Sequence, residues 1–148
     1  MILSRSSRAV PALVALVLLA VAAGGCSDAP MGPSDFQEFT IVDLRVGEGA
    51  TAAAGNALTV HYTGWLYEAS KADKKGLQFE TSRDGDPFLF ALGTGTVITG
   101  WDEGLVGMNV GGLRRLVIPP SKAYGTSRNG VIPPNSTLVF EIELLEVQ

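Results

Sequence analysis

The chain has 148 residues, which predicts a single domain, and its apolar content of 46% is sufficient for a hydrophobic core. Its formal net charge of −4 argues against a nucleic-acid partner, because proteins that bind nucleic acids normally carry a basic patch. With only one cysteine, the chain cannot form an internal disulfide.

The amino-terminal segment, residues 1–25, is typical of an export signal. Arg5 and Arg8 precede an apolar run over residues 9–23, which is too short to span a membrane comfortably. Small residues then lead directly into Cys26, and this pattern resembles the lipobox of bacterial lipoproteins. The alternative is an ordinary secretory signal that happens to be followed by a cysteine.

If the resemblance to a lipobox holds, acyl chains on Cys26 anchor the protein to a membrane in the cell envelope, facing the periplasm. Ala23 departs from the usual pattern, which has leucine at that place. Ser27 follows the cysteine where inner-membrane lipoproteins carry aspartate, and this favours the outer membrane. Residues 26–38 are then a flexible tether, and residues 39–148 form the folded domain.

The folded part of the chain consists mainly of segments with strand-like patterns. In the last of them, apolar residues from Leu138 to Leu144 alternate with Glu141 and Glu143, which is typical of a half-buried strand. The polar segment 68–76, with its three lysines, is predicted to be a solvated loop. The predicted strands cover residues 39–46, 58–67, 77–82, 88–92, 113–118 and 137–147.

One short helix is predicted within residues 97–105. Four apolar residues have the spacing of one helical face, and they are Ile98, Trp101, Leu105 and Met108. Thr99 is a candidate N-cap. Gly100 and Gly104 each lower the helix propensity by about 1 kcal/mol, so this helix needs a sheet to pack against. We therefore predict an α+β fold, with an antiparallel sheet of five or six strands wrapped around one short helix.

Common catalytic groups are scarce in this sequence. His61 is the single histidine, and we expect it to have a structural or exposed role on its strand. No nucleophile-elbow motif is present, and one histidine without a usable cysteine predicts neither a zinc site nor another metal site. The long loop over residues 121–134, which contains Tyr124, has the length of a functional loop. Trp101 is either part of the core or the floor of a pocket.

Five motifs in the chain occur together in the order seen in one known family. They are VHYTG at 60–64, SRD at 82–84, VITGWDEG at 97–104, AYG at 123–125 and IPPNSTLVF at 132–140. With these motifs, residues 39–148 resemble the FKBP-type peptidyl-prolyl cis-trans isomerases, the family bound by the immunosuppressant rapamycin. The resemblance implies catalysis of X-Pro bond rotation in exported proteins without a cofactor. It also implies inhibition by rapamycin-type macrolides, and we expect a monomer.

The resemblance also implies a set of site residues. Trp101 would be the floor beneath the proline ring. The walls would be Tyr62, Phe79, Phe88 and Phe140. Val97 and Ile98 would form the rim, where the Ile98 backbone N–H would hold a substrate carbonyl. Tyr124 would donate a hydrogen bond to the substrate, and Val131 and Ile132 would close the side of the loop.

The chain departs from the family pattern near the site. Glu80 follows Phe79 where the family usually has aspartate, and the extra methylene displaces the carboxylate. The loop after Tyr124 carries Arg128 and Asn129 at its tip, where histidine is frequent in the family. The alternative functions are therefore a binding or chaperone module of the same fold with little turnover, and an unrelated carrier of apolar ligands.

Overall fold

A computed structural model of the chain describes residues 37–148, and these form an α+β fold. This confirms the predicted class, with six strands and one short α-helix. The elements are β1 (Thr40–Arg45), β2 (Ala57–Tyr67), β3 (Lys75–Thr81), β4 (Phe88–Ala91), α1 (Thr99–Gly104), β5 (Leu113–Ile118), a 3-10 helix (Pro120–Lys122) and β6 (Leu138–Val147). No helix in this part of the chain is long and apolar enough to cross a membrane. The predicted leader, Cys26 and most of the predicted tether lie outside the described residues.

The six strands form one antiparallel sheet, in which five follow the order β1-β5-β6-β2-β3 and β4 pairs with β2 outside this order. The first half of β2 also pairs with β4, and its second half pairs with β3. The alternation predicted for the central strands is confirmed, because Leu58, Val60 and Tyr62 on β2 are buried. Their partners on β6 include Ile142, which is fully buried opposite Tyr62. The core therefore lies between the inner face of the sheet and α1.

The two glycines of α1 explain how a helix of low intrinsic stability is held on the sheet. A Cβ atom on Gly100 would lie 2.5 Å from Cγ2 of Ile118, and one on Gly104 would lie 2.8 Å from Cδ1 of Leu116. Both contacts are far shorter than van der Waals separation, so only glycine allows α1 to approach β5 this closely. The cost in helix propensity is offset by burial of the helix against the sheet.

Three expectations about local structure were wrong. Thr99 is not the N-cap: Ile98 occupies that position, and no side-chain cap is present. Instead, the Ile98 carbonyl accepts the Trp101 and Asp102 N–H groups at 2.9 and 3.3 Å. Lys75 belongs to β3 rather than to a solvated loop, and the long loop after β5 begins with an unpredicted 3-10 helix.

A buried arginine joins β1, β5 and the end of α1. Arg114 on β5 is only 8% exposed, and its guanidinium donates to both carboxylate oxygens of Asp43 on β1, at 2.6 and 3.1 Å. It also donates to the carbonyl oxygens of Gly104 and Val106, at 2.9 and 3.2 Å. These carbonyls lie at the carboxyl end of α1, where a cation is favourable.

On the outer face of β6, Glu141 binds two cations. Glu141 accepts hydrogen bonds from Arg115 at 2.7 and 3.1 Å and forms an ion pair with Lys75 at 2.7 Å. Burial acts to raise the pKa of Glu141, but the hydrogen bonds and charges of these two cations outweigh it and lower the pKa. Lys75 also lies over the Trp65 ring, 4.4 Å from its centroid. The strand-like position of Lys75 therefore gives it a structural role.

Candidate active site

A cavity of about 230 Å³ opens between the sheet, α1 and the loop after β5. Its lining comes from β2, β3, β4, α1, β6 and two connecting segments, so it exists only in the folded chain. The lining residues are Tyr62, Glu80, Phe88, Thr96, Val97, Ile98, Trp101, Tyr124 and Phe140.

The indole of Trp101 forms the base of the cavity. It is 4% exposed, and its ring lies edge-to-face against Tyr62 and Phe140, with centroids 5.0 and 5.3 Å away. Phe88 and Phe90 also contact it, at 6.2 and 5.5 Å. Its buried Nε1 has no hydrogen-bond partner among residues 37–148. Edge-to-face aromatic packing of this kind fixes ring orientation and presents an apolar surface.

Tyr62 and Glu80 form a polar pair in the wall of the cavity. Burial raises the pKa of the Tyr62 hydroxyl, and the hydrogen bond to Glu80 and the charge of that carboxylate raise it further. The hydroxyl therefore stays protonated throughout the neutral range. Glu80 therefore lies near the Tyr62 hydroxyl despite its additional methylene, and it supplies the one acidic group in the cavity lining.

Tyr124 enters the cavity from the loop after β5, and it is half-buried. Burial raises the pKa of its hydroxyl; a hydrogen bond with the Asn129 side chain opposes this, and the charge of Glu80 adds to the rise. The hydroxyl is therefore a hydrogen-bond donor at neutral pH. Asn129 also pairs with Ile132 through backbone hydrogen bonds of 3.2 and 2.8 Å.

Residues 96–98 form the rim that faces this tyrosine. The Ile98 backbone N–H donates no hydrogen bond to any acceptor within residues 37–148. Among the described residues it is therefore a donor without a partner, and Ile98 lines the cavity. Sequence reasoning missed Thr96, whose hydroxyl donates to the Ala91 carbonyl at 3.2 Å. The local sequence does not distinguish Thr96 from Thr94, because both are threonines just before the helix. Even in the structure, both hydroxyls donate to the same carbonyl.

Eight of the eleven predicted site residues line the cavity, and three do not. Phe79 packs edge-to-face against Phe140, with the two ring centroids 5.6 Å apart, and it does not line the cavity itself. Ile132 is 5% exposed and belongs to the core, whereas Val131 is 61% exposed. These two neighbours separate because the backbone turns between Asn129 and Ile132. His61 lies on β2, and its Nδ1 is 3.0 Å from Ser82 Oγ.

The arrangement favours binding and distortion of a ligand over covalent chemistry. The lining holds no histidine, cysteine or lysine that could act as a nucleophile or base. Within residues 37–148, no three His, Cys, Asp or Glu side chains are grouped to hold a metal ion. The cavity instead combines five aromatic side chains with a few polar groups, which is typical of a small-ligand site.

Comparisons with known proteins agree with this geometry. The family model described as FKBP-type peptidyl-prolyl cis-trans isomerase matches residues 48–145. An FK506-binding protein of Neisseria meningitidis serogroup B is 49% identical over 109 residues, covering 72% of this chain and 94% of its own.

FK506-binding protein 1 of Aspergillus oryzae is 45% identical over 105 residues, covering 68% of this chain and 90% of its own. The crystal structure of AtFKBP13 is similar, with a TM-score of 0.63 and 35% sequence identity; the match covers 74% of this chain and 93% of that one.

Proposed function

The chain belongs to the FKBP-type peptidyl-prolyl cis-trans isomerase family, and we propose that it uses the aromatic cavity to accelerate X-Pro bond rotation in exported polypeptides. The observation that carries this proposal is the apolar base of the cavity, where Trp101 lies among four other rings. The size of the cavity suits a proline ring with its adjacent peptide bonds.

The chemistry needs no nucleophile, because no covalent bond is made. The barrier of about 18–20 kcal/mol arises from amide resonance, which places partial charges on the oxygen and nitrogen of the planar bond. Water stabilises those charges in the planar ground state. In the twisted transition state the resonance is lost, and the bond becomes less polar. A dry aromatic cavity therefore binds the twisted form better than the planar one, and this differential binding accelerates rotation.

Two polar groups of the chain then orient the substrate. The free Ile98 N–H binds a substrate carbonyl, and the Tyr124 hydroxyl donates a second hydrogen bond. Glu80 and the Tyr62 hydroxyl, which are already paired, bound the cavity on the side of β2 and β3. Since all these groups come from one chain, we also propose that the protein acts as a monomer.

The test is the relaxation of an X-Pro peptide from cis to trans, followed with and without the purified full-length chain in detergent. We expect faster relaxation that depends on protein concentration and is abolished by stoichiometric rapamycin. Unchanged relaxation with protein that still binds the macrolide would point to a binding module of the same fold. Failure of a folded protein both to accelerate the peptide and to bind the macrolide would contradict the proposal.

We further propose that the protein is held in the cell envelope by lipid on Cys26, at the periplasmic face of the outer membrane. The support is the basic, apolar and small-residue pattern that ends at this cysteine. We expect mass spectrometry of membrane-derived protein to find a chain that begins with acylated Cys26. The Cys26→Ser variant should lack the acyl chains and should leave the membrane fraction. A mature chain cleaved elsewhere, with an unmodified cysteine, would contradict the anchor.

A further inference from the structure

The carboxylate of Asp102 joins the rim of the cavity to its base. Asp102 follows Trp101 directly on α1, so its backbone is fixed to the residue that forms the base. Its Oδ1 accepts the N–H of Gly93 at 2.8 Å, and its Oδ2 accepts the N–H of Gly95 at 2.9 Å. Both oxygens of one side chain therefore bind the turn that leads from β4 into rim residues 96–98.

Apart from the buried Leu92 at its start, this turn has little other support. Gly93 and Gly95 both have positive φ, of 78° and 73°, and glycine loses more conformational entropy than other residues when its backbone is fixed. A Cβ on Gly95 would find no atom within 4 Å, so no packing holds that part of the turn. The Thr94 and Thr96 hydroxyls donate to the Ala91 carbonyl and the Thr94 hydroxyl also donates to that of Thr96, all within the turn itself. Among the described residues, and apart from the bonds to Asp102, only Leu92 is hydrogen-bonded to another segment, through its backbone bonds to Gly55 and Asn56.

From this geometry we infer that Asp102 is a positioning residue, which sets the distance of the Ile98 N–H and the Val97 side chain from the Trp101 ring. This inference rests on the proposed function, because it assigns the rim the task of holding a substrate carbonyl. Ionised carboxylates bind N–H groups more strongly than neutral acceptors do. We call the two hydrogen bonds from Gly93 and Gly95 to Asp102 the clamp, and their strength restricts movement of the rim. Displacements of about 1 Å at such a position can lower activity by as much as a hundredfold.

The variants that test the inference are Asp102→Asn and Asp102→Ala. The amide of asparagine keeps one acceptor oxygen, so Asp102→Asn loses one of the two N–H contacts, whereas Asp102→Ala loses both. Glu103→Gln is the matched control: Glu103 is the next residue, also acidic, and pairs with Lys122 at 2.5 Å, away from the rim. Its side chain is 47% exposed and does not line the cavity.

The decisive readout is the division of the effect between kcat and KM. If Asp102 positions the rim, the substrate is held less well in both the ground state and the transition state, so KM rises while kcat changes little. We expect KM to rise about tenfold for Asp102→Ala and by an intermediate factor for Asp102→Asn. A merely structural role would lower the folded fraction, which reduces the apparent kcat and leaves KM unchanged. Glu103→Gln should leave both constants within about twofold.

Amide hydrogen exchange gives an independent readout. We expect the Gly93 and Gly95 amides to exchange faster in Asp102→Ala than in the parent, with no such change in Glu103→Gln. If the parent shows no isomerase activity, the proposed function fails, and the clamp is then judged by macrolide affinity together with exchange. Unchanged KM, macrolide affinity and glycine exchange in a folded Asp102→Ala variant would overturn the inference.

Discussion

Replacing Trp101 by alanine is expected to remove most of the isomerase activity and to lower the free energy of unfolding by about 3–5 kcal/mol. The indole is 4% exposed and is in contact with the rings of Tyr62, Phe88, Phe90 and Phe140. Its loss leaves a void beneath the cavity that water can enter, and the apolar surface that favours the twisted amide disappears. Relaxation of an X-Pro peptide and urea denaturation measure the two effects.

Because a loss of this size is comparable to the whole stability of many domains, Trp101→Leu is needed as a folded counterpart. Leucine keeps an apolar side chain but not the flat base, and we expect kcat/KM to fall about tenfold, equivalent to about 1.4 kcal/mol of transition-state binding. Trp65→Phe is the control, since Trp65 lies under Lys75 and does not line the cavity. A folded Trp101→Leu variant with the kcat/KM of the parent would show that the indole is only core.

Replacing Arg114 by methionine is expected to destabilise the fold more than any other change to an ion pair. The substitution keeps apolar volume but removes every donor to Asp43, Gly104 and Val106. Removing one partner of a buried ion pair typically costs about 3–5 kcal/mol. Because 39% of the Asp43 side chain remains exposed to water, we expect a loss at the lower end of that range. The measurement is the midpoint and slope of urea denaturation.

The exposed pair Arg45–Glu143 provides the comparison. The Arg45 side chain is 54% exposed, so Arg45→Met should change the free energy of unfolding by less than about 1 kcal/mol. In the double variant Asp43→Asn with Arg114→Met, the decrease in the free energy of unfolding should be smaller than the sum of the decreases in the two single variants, because no unpaired carboxylate remains. A loss of under 1 kcal/mol for Arg114→Met would contradict the structural role assigned to this residue.

Hydrophobic periodicity in the sequence predicted the strands and the burial of Trp101 at the base of the cavity. Alternation in β2 and β6 depends only on which face of a strand meets the core, and this is visible as a period of two. The helical spacing correctly marked Trp101, Leu105 and Met108 as buried, but α1 ends at Gly104, so Met108 lies beyond the helix rather than on its face. Six of the eleven proposed site residues lie in the five family motifs and also line the cavity: Tyr62, Val97, Ile98, Trp101, Tyr124 and Phe140.

Other features depend on contacts between residues far apart in the chain. Asp102 accepts two hydrogen bonds from the turn before the rim, and helical preferences do not predict them. Lys75 lies in a polar segment whose composition predicts a loop. It is nevertheless part of β3, where it forms an ion pair with Glu141 and lies over the Trp65 ring. Val131 and Ile132 are adjacent and similar, and only the turn of the loop exposes one and buries the other.

The sequence by itself therefore determined the fold class, the family and the aromatic identity of the site, because hydrophobic periodicity and ordered motifs are properties of the chain alone. The tertiary structure decided how the site is held. Gly100 and Gly104 are unfavourable in an isolated helix and necessary beside Ile118 and Leu116, since the missing side chains let α1 lie against β5. The two glycines change from unfavourable to necessary because of the packing between α1 and β5, and local sequence patterns do not predict that packing.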